Sequence, residues 1–223
     1  MNAASKSKRI AILIAILFLP SLAYLLLKTG KNNFKHLAIY GPRDVAANGK
    51  DTIYHSLPPF SFINQDGQNV TDATYTGRIF VANFFFTSCK TICPEMTIQM
   101  NRVLLKFKKN PQILLLSHTV DPEHDSVPVL KNYASVHNID SKRWALVTGP
   151  KKAIYDHARY GYFISALNGD GGPTDFIHDD KLILIDKEKH IRGYYDGTKP
   201  KEVNRLLDEI NVLLGEYKEK EGK

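Results

Sequence analysis

Two cysteines, Cys89 and Cys93, stand four residues apart in the stretch Phe84-Phe85-Phe86-Thr87-Ser88-Cys89-Lys90-Thr91-Ile92-Cys93-Pro94, and they are the only thiols in the chain. The run before them, Ile79-Phe80-Val81-Ala82-Asn83-Phe84-Phe85-Phe86, is apolar and aromatic on both faces. That is the pattern of a strand buried in the middle of a sheet rather than at its edge. The run after them reads as a helix. Met96, Met100, Val103, Leu104 and Phe107 recur at spacings of three and four and make one apolar face, opposite Gln99, Asn101, Arg102, Lys106 and Lys108. The cysteines therefore sit at a strand-to-helix turn, where free backbone N–H groups and the helix dipole pull a thiol below its free pKa of about 8.5. Cys89 is expected to be the more exposed and more nucleophilic of the two. Pro94 suits the first helical turn, which needs no N–H at that point. With Cys93 on that turn both sulfurs can face one direction, and closing a disulfide or gripping one ion both remain open.

Residues 1–9 carry Lys6, Lys8 and Arg9 with no acid, and Ile10 to Leu27 is an 18-residue stretch without charge. At the helical rise it spans roughly 27 Å, close to the hydrocarbon thickness of a bilayer. Ser21-Leu22-Ala23 offers a signal-peptidase site, but Tyr24 to Leu27 continues the apolar run past it. Residues 10–27 are therefore expected to be an uncleaved transmembrane helix, with Pro20 a tolerated kink. No cysteine follows the segment to take a lipid. Lys28, Lys31 and Lys35 flank the other side, so the charge rule alone leaves orientation open. The short N-terminus and the cysteine chemistry favour export of the C-terminal part. Nine residues leave no room for a mitochondrial transit peptide, so a bacterial cytoplasmic membrane, with the domain on the periplasmic side, is expected. Residues 1–35 hold six Lys or Arg and no acid, which leaves 24 basic against 23 acidic residues beyond them. The formal charge of +7 thus belongs to the membrane flanks. That balance argues against a nucleic-acid-binding domain, which concentrates its basic excess on itself.

Residues 28–55 mix Lys, Asn, Gly and Pro without periodicity and are expected to form a tether to a domain over 56–216, with 217–223 a charged, frayed tail. Phe60 to Ile63 and Asn69 to Thr71 flank Gln65-Asp66-Gly67, a hairpin signal. Gln112 to Ser117 and Trp144 to Val147 read as further strands, and Val127–Val136 and Lys151–Tyr160 as helices. Lys181–Ile185 and His190–Tyr195 read as a terminal hairpin around Asp186 to Lys189, followed by an amphipathic helix from Pro200 to Leu214. Strands alternating with helices, then a hairpin and a helix, describe an α/β domain of thioredoxin type.

Several segments match a known family in order. Phe86 to Met96, with its Cys-x-x-x-Cys-Pro, resembles the signature of the Sco/SenC copper chaperones. Val120-Asp121-Pro122-Glu123-His124-Asp125 and Trp144-Ala145-Leu146-Val147-Thr148-Gly149 are similar to two further family segments. Asp175-Phe176-Ile177-His178-Asp179 followed by Leu182 to Asp186 resembles the segment carrying the family's metal-binding histidine. The resemblance runs from about Phe60 to Leu214 and departs at Asp179, where Ser is more usual, and in the glycine-rich Asn168 to Gly172 loop. It implies a thioredoxin-like fold behind a membrane anchor and a copper site built from Cys89, Cys93 and His178. Its target would be the copper-site subunit of cytochrome c oxidase, and an exported thiol reductant would keep the cysteine pair reduced. Two thiolates and an imidazole suit Cu(I) and also accommodate Cu(II), whereas a lone cysteine pair lacks the four ligands of a structural zinc site. The glycine-rich loop reads either as a hinge for His178 or as an ordinary surface insertion.

The same two thiols, Cys89 and Cys93, are also redox-active residues if the protein is instead a thiol-disulfide oxidoreductase acting on the target's cysteines. That reading gives no reason for His178. A peroxiredoxin-type peroxidase is disfavoured, because no proline precedes Phe84 to Thr87 in the required Pro-x-x-x-Thr turn. Met96 and Met100 have the spacing of core residues. His118 and His124 bracket Asp121 near the cysteine turn and read as solvated loop residues or as auxiliary ligands, and Asp121 as a helix-entry or turn residue that family analogy makes a partner of the site. His36, His55, His137, His157 and His190 read as tether or exposed positions.

Overall fold

The computed structural model describes residues 12–22, 24–25, 36–164 and 179–222. The chain divides into two compact units, residues 1–35 and 36–223. In the first, residues 12–22 and 24–25 are helical with exposed apolar side chains such as Leu17 and Phe18. Among the described residues no helix is long and apolar enough to cross a membrane. The ends of the 10–27 segment lie outside the described residues.

The second unit opens with a small hairpin, β1 (Arg43–Val45) and β2 (Thr52–Tyr54). A second hairpin, β3 (Ser61–Asn64) and β4 (Asn69–Thr71), turns at Gly67 with φ +74, a conformation that glycine adopts without strain. The α/β part follows as β5 (Ile79–Phe85), α1 (Ile92–Lys106), β6 (Ile113–Thr119), α2 (Val127–Val136), β7 (Trp144–Thr148) and α3 (Lys151–Asp156). A π turn, His157–Gly161, continues α3, and β8 (Lys181–Ile185), β9 (Ile191–Asp196) and α4 (Pro200–Glu221) complete the chain. The main sheet has seven strands in the order β4-β3-β7-β6-β5-β8-β9. Strands β5, β6 and β7 are parallel, and β8 runs antiparallel to β5.

This topology explains why β5 is apolar throughout. Ile79, Val81 and Phe85 face a core shared with α1, α2 and α4, and Phe80, Ala82 and Phe84 face a second core shared with α3, the π turn and the first strand of the β3–β4 hairpin. Both faces are covered, so alternation disappears. The one buried polar residue of the strand, Asn83, accepts from the Ser117 hydroxyl at 2.5 Å, and the Trp144 indole N–H donates to the same hydroxyl at 2.8 Å. Three adjacent strands are thereby cross-linked.

Four expectations are corrected. The folded unit begins at His36, not residue 56. Tyr40 bridges Ile191, and the Arg192 guanidinium donates to the carbonyls of Leu37 and Ala38. These residues pack by backbone pairing and three-residue strands with exposed side chains, which leave no hydrophobic period to read. The C-terminal helix continues through the expected tail to Glu221, because Glu216 and Tyr217 are buried. Gln99, assigned to the polar face of α1, is buried and accepts from Arg102 at 2.5 Å. His118 and His157 are core residues, the first wholly enclosed.

Arg192 ties the two ends of the unit together. It lies 3.0 Å from Asp186 and 2.7 Å from Glu216, with all three side chains buried. Removing one member of such a group leaves an uncompensated buried charge, which costs more than the pair contributes. Glu216→Ala is therefore expected to lower unfolding stability by about 3 kcal/mol or more in urea denaturation; a loss below about 1 kcal/mol, the level of an exposed pair, would show that Arg192 does not depend on it.

Candidate functional site

Strand β5 delivers the chain into a turn at Phe86, whose carbonyl accepts from the Cys89 N–H at 3.3 Å. Helix α1 then starts at Ile92, with Cys93 in its first turn and Pro94 next to it. Thr91 occupies the position before the helix but makes no side-chain cap. Sulfur takes that role: the Cys93 N–H donates to Cys89 Sγ at 3.5 Å, and the Thr91 hydroxyl lies 3.7 Å from the same atom. An N–H that the helix leaves without a partner thus points at the thiol.

Both cysteines are free and nearly enclosed, Cys89 at 9% exposure and Cys93 at 3%. Their acidities diverge. Burial raises the Cys89 pKa, but donation from the Cys93 thiol, the Cys93 and Thr91 N–H groups and the Thr91 hydroxyl outweighs it, bringing Cys89 down to about 7. Cys93 is pushed up to about 12, first by burial, with the negative charges of Cys89 and Asp125 adding to it against a hydrogen bond with the Phe86 backbone. Near neutral pH Cys89 is therefore about half thiolate while Cys93 keeps its proton, which puts the nucleophile on the more exposed sulfur.

Asp125 is the residue the sequence reading missed. Its wholly buried carboxylate accepts from the Thr87 N–H at 3.0 Å, from the Thr87 hydroxyl and from the Thr119 hydroxyl. The cysteine turn is thereby fastened to the end of β6. Asp121, the partner suggested by family analogy, instead shapes the turn through its carbonyl, which accepts from the His124 and Asp125 N–H groups. The available signal was position: Asp125 closes the Val120 to Asp125 segment, just before the Ser126 cap of α2, where an acid reads as an ordinary turn or cap residue. Behind the sulfurs, the Tyr133 and Thr97 hydroxyls are 2.8 Å apart, and Thr97 donates to the Cys93 carbonyl.

The other candidates sort clearly. Met96 and Met100 are fully buried core residues. His124 is exposed, with Nδ1 3.0 Å from Asp125, and hydrogen bonding to that carboxylate raises its pKa. His178 lies outside the described residues. Asp179 follows it, accepting from the Lys181 N–H at 2.7 Å, with its pKa raised by burial. The antiparallel register, Phe80 with Ile185 and Ala82 with Ile183, runs the start of β8 toward the C-terminal end of β5, where the cysteine turn begins. Among the described residues one group of carboxylates and imidazole comes together, Asp186, Glu188 and His190, and there Arg192 already neutralises Asp186.

A thioredoxin-like domain with an asymmetric Cys-x-x-x-Cys pair at the mouth of its central strand is a dithiol protein, equipped for thiol exchange or for a soft metal ion. The SCO1/SenC family model matches residues 49–214. The chain belongs to the SCO1/SenC family. It is 28% identical over 162 residues to the SCO1 protein homolog of Bacillus subtilis, covering 72% of this chain and 84% of the relative. The solved structure of BsSco, a member of the Sco family of cytochrome c oxidase assembly proteins in which a disulfide switch was identified, is 27% identical with a TM-score of 0.59, over 71% of this chain and 93% of that one. Arabidopsis thaliana ScoI, solved with copper bound, is 27% identical with a TM-score of 0.55, over 69% and 94% of the two chains.

The divergent acidities have a direct readout, because only the thiolate attacks an alkylating agent. Iodoacetamide modification of the reduced protein is expected to fall on Cys89, with a rate that rises with pH through a midpoint near 7 and then levels, while Cys93 stays unmodified. A midpoint at the free-cysteine value of about 8.5, or equal labelling of both, contradicts the asymmetry.

Proposed function

We propose that this protein is a membrane-anchored copper chaperone that delivers copper to the dinuclear copper site of cytochrome c oxidase. Copper is its cargo, held by Cys89, Cys93 and His178. The observation that carries the reading is the pair of free cysteines in contact at the start of α1, at the end of the sheet where β8, the strand after His178, begins. Family membership and the copper-bound relative support it. Two sulfur donors and an imidazole form a soft set suited to Cu(I). Residues 10–27 would anchor the domain in a bacterial cytoplasmic membrane, with the cysteines on the exported side.

A second reading, a thiol-disulfide oxidoreductase acting on the cysteines of the same target, is favoured by the separation of the two acidities, about 7 against about 12. In that reaction the Cys89 thiolate attacks a target disulfide, and Cys93 then displaces the target thiol. Two electrons pass to the target, and an exported reductant restores the pair.

Copper titration followed by the sulfur-to-copper charge-transfer absorption separates the roles. Cys89→Ala and Cys93→Ala are each expected to abolish that absorption and the maturation of the oxidase. His178→Ala is expected to weaken sulfur-bound copper and alter its spectrum while the domain stays folded; full affinity with an unchanged spectrum removes His178 from the site. In cells lacking the protein, added copper is expected to restore part of the oxidase activity and a small thiol reductant none. Rescue by reductant alone favours the oxidoreductase.

A further inference from the structure

The sheet carries a second concentration of donor atoms on the face away from the cysteines. His118 lies opposite Phe84 in the β5–β6 register, and its ring stacks on Phe84 with centroids 4.8 Å apart. The next residue, Thr119, points to the other face and holds Asp125. His118 meets His157 of the π turn at 5.7 Å between ring centres, and Tyr162 lies 5.4 Å from the first and 5.1 Å from the second. Phe60 and Phe62 close the sides. His118 and Tyr162 are wholly enclosed and His157 is 5% exposed. Both nitrogens of His118, Nε2 of His157 and the Tyr162 hydroxyl have no hydrogen-bond partner. Buried polar atoms are nearly always paired, and one left alone costs the full price of its desolvation. Among these atoms, one nitrogen on each imidazole can be satisfied by a shared ligand between the two rings.

We propose that His118 and His157, bordered by Tyr162, form an interior binding site for Cu(I), separate from the cysteine pair. A neutral imidazole has one lone pair to give. Burial depresses the pKa of both rings, well below the ordinary value for His118 and to about 4 for His157, so both are in the ligating form at neutral pH. At His118 the His157 ring adds to the shift and the Asn83 backbone opposes it. An ion about 2 Å from one nitrogen of each ring holds the two ring centres about 5 to 6 Å apart when the angle at the ion is bent, as it is when the Tyr162 oxygen lies to one side, and they stand 5.7 Å apart here. The charge of the ion follows from the surroundings. Burial raises the Tyr162 pKa well above its ordinary value, so its phenol stays neutral and supplies no negative charge. A monovalent ion is then much cheaper to enclose than a divalent one, and imidazole nitrogen accommodates copper. The Phe84, Phe60 and Phe62 rings add a cation-tolerant wall, and Asp72 favours positive charge at His157. Entry is available through a cleft of about 320 Å³ lined by Phe60, Phe62, Asp156, His157 and Tyr160.

The test uses the full chain carrying Cys89→Ala, Cys93→Ala and His178→Ala, so that failure of this site and failure of the cargo site are read separately. Titrated anaerobically with Cu(I) against a colorimetric chelator, this parent is expected to retain one Cu(I) per chain. X-ray absorption of the loaded parent is expected to show two imidazole nitrogens and no sulfur. Adding His118→Phe or His157→Phe is expected to abolish retention. Because each Phe variant keeps the ring and removes unpaired nitrogens, its metal-free melting temperature is expected to equal or exceed that of the parent. No Cu(I) retained by the parent, a spectrum without two imidazoles, or retention unchanged in both Phe variants overturns the proposal. Should a Phe variant not fold, the stoichiometry and spectrum of the parent decide alone.

Discussion

The cysteine turn depends on one buried carboxylate. Asp125 receives the Thr87 N–H and hydroxyl from the turn and the Thr119 hydroxyl from β6. Hydrogen bonds to a charged acceptor each contribute about 1.5–3 kcal/mol, enough together to offset the cost of enclosing the charge. The same charge then acts on the thiols. Burial is what chiefly keeps the proton on Cys93, with the Asp125 charge adding a smaller contribution, and hydrogen bonds from Cys93 and Thr91 draw the negative charge to Cys89.

That asymmetry has a consequence for loading. Two thiolates are needed to hold a soft ion, yet Cys93 keeps its proton up to about pH 12 in the metal-free protein. Under the proposed function, copper would have to displace that proton, coupling binding to proton release. The same pair held as a disulfide offers no thiolate at all. The two proposed roles, metal carriage and disulfide exchange, would therefore compete for the same two sulfurs, and the helix N-terminus favours the thiolate that both would use. The opposite face of the sheet has no thiol and no exchange chemistry, and there the donor atoms belong to two imidazoles held apart from water.

Much of this was legible in the sequence where local pattern carries the information. β5 showed as a central strand because both its faces are covered, and α1 because Met96, Met100 and Val103 repeat at helical spacing against one core. The turn that joins them followed from those two periods, with Cys89 as the more exposed sulfur. What escaped were polar contacts between distant segments. Glu216 and Arg192 draw residues 36–40 and the last turns of α4 into the unit, and neither partner differs from a surface charge until they meet. His118 and His157 looked like solvent-facing residues because an imidazole breaks an apolar run, although β6 carries both faces in the interior. Asp125 had the local character of a helix-start residue and acts across 38 positions on Thr87.

The central claim is that one pair of sulfurs holds copper only as a dithiol. It is tested most directly by titrating copper into reduced protein and into the same protein with Cys89 and Cys93 joined as a disulfide, following the sulfur-to-copper charge-transfer absorption. The account predicts a saturable band in the dithiol form and none in the disulfide form, with the band appearing in the latter when reductant is added. Copper bound by the reduced protein without any such band, or equal bands in both forms, would contradict it.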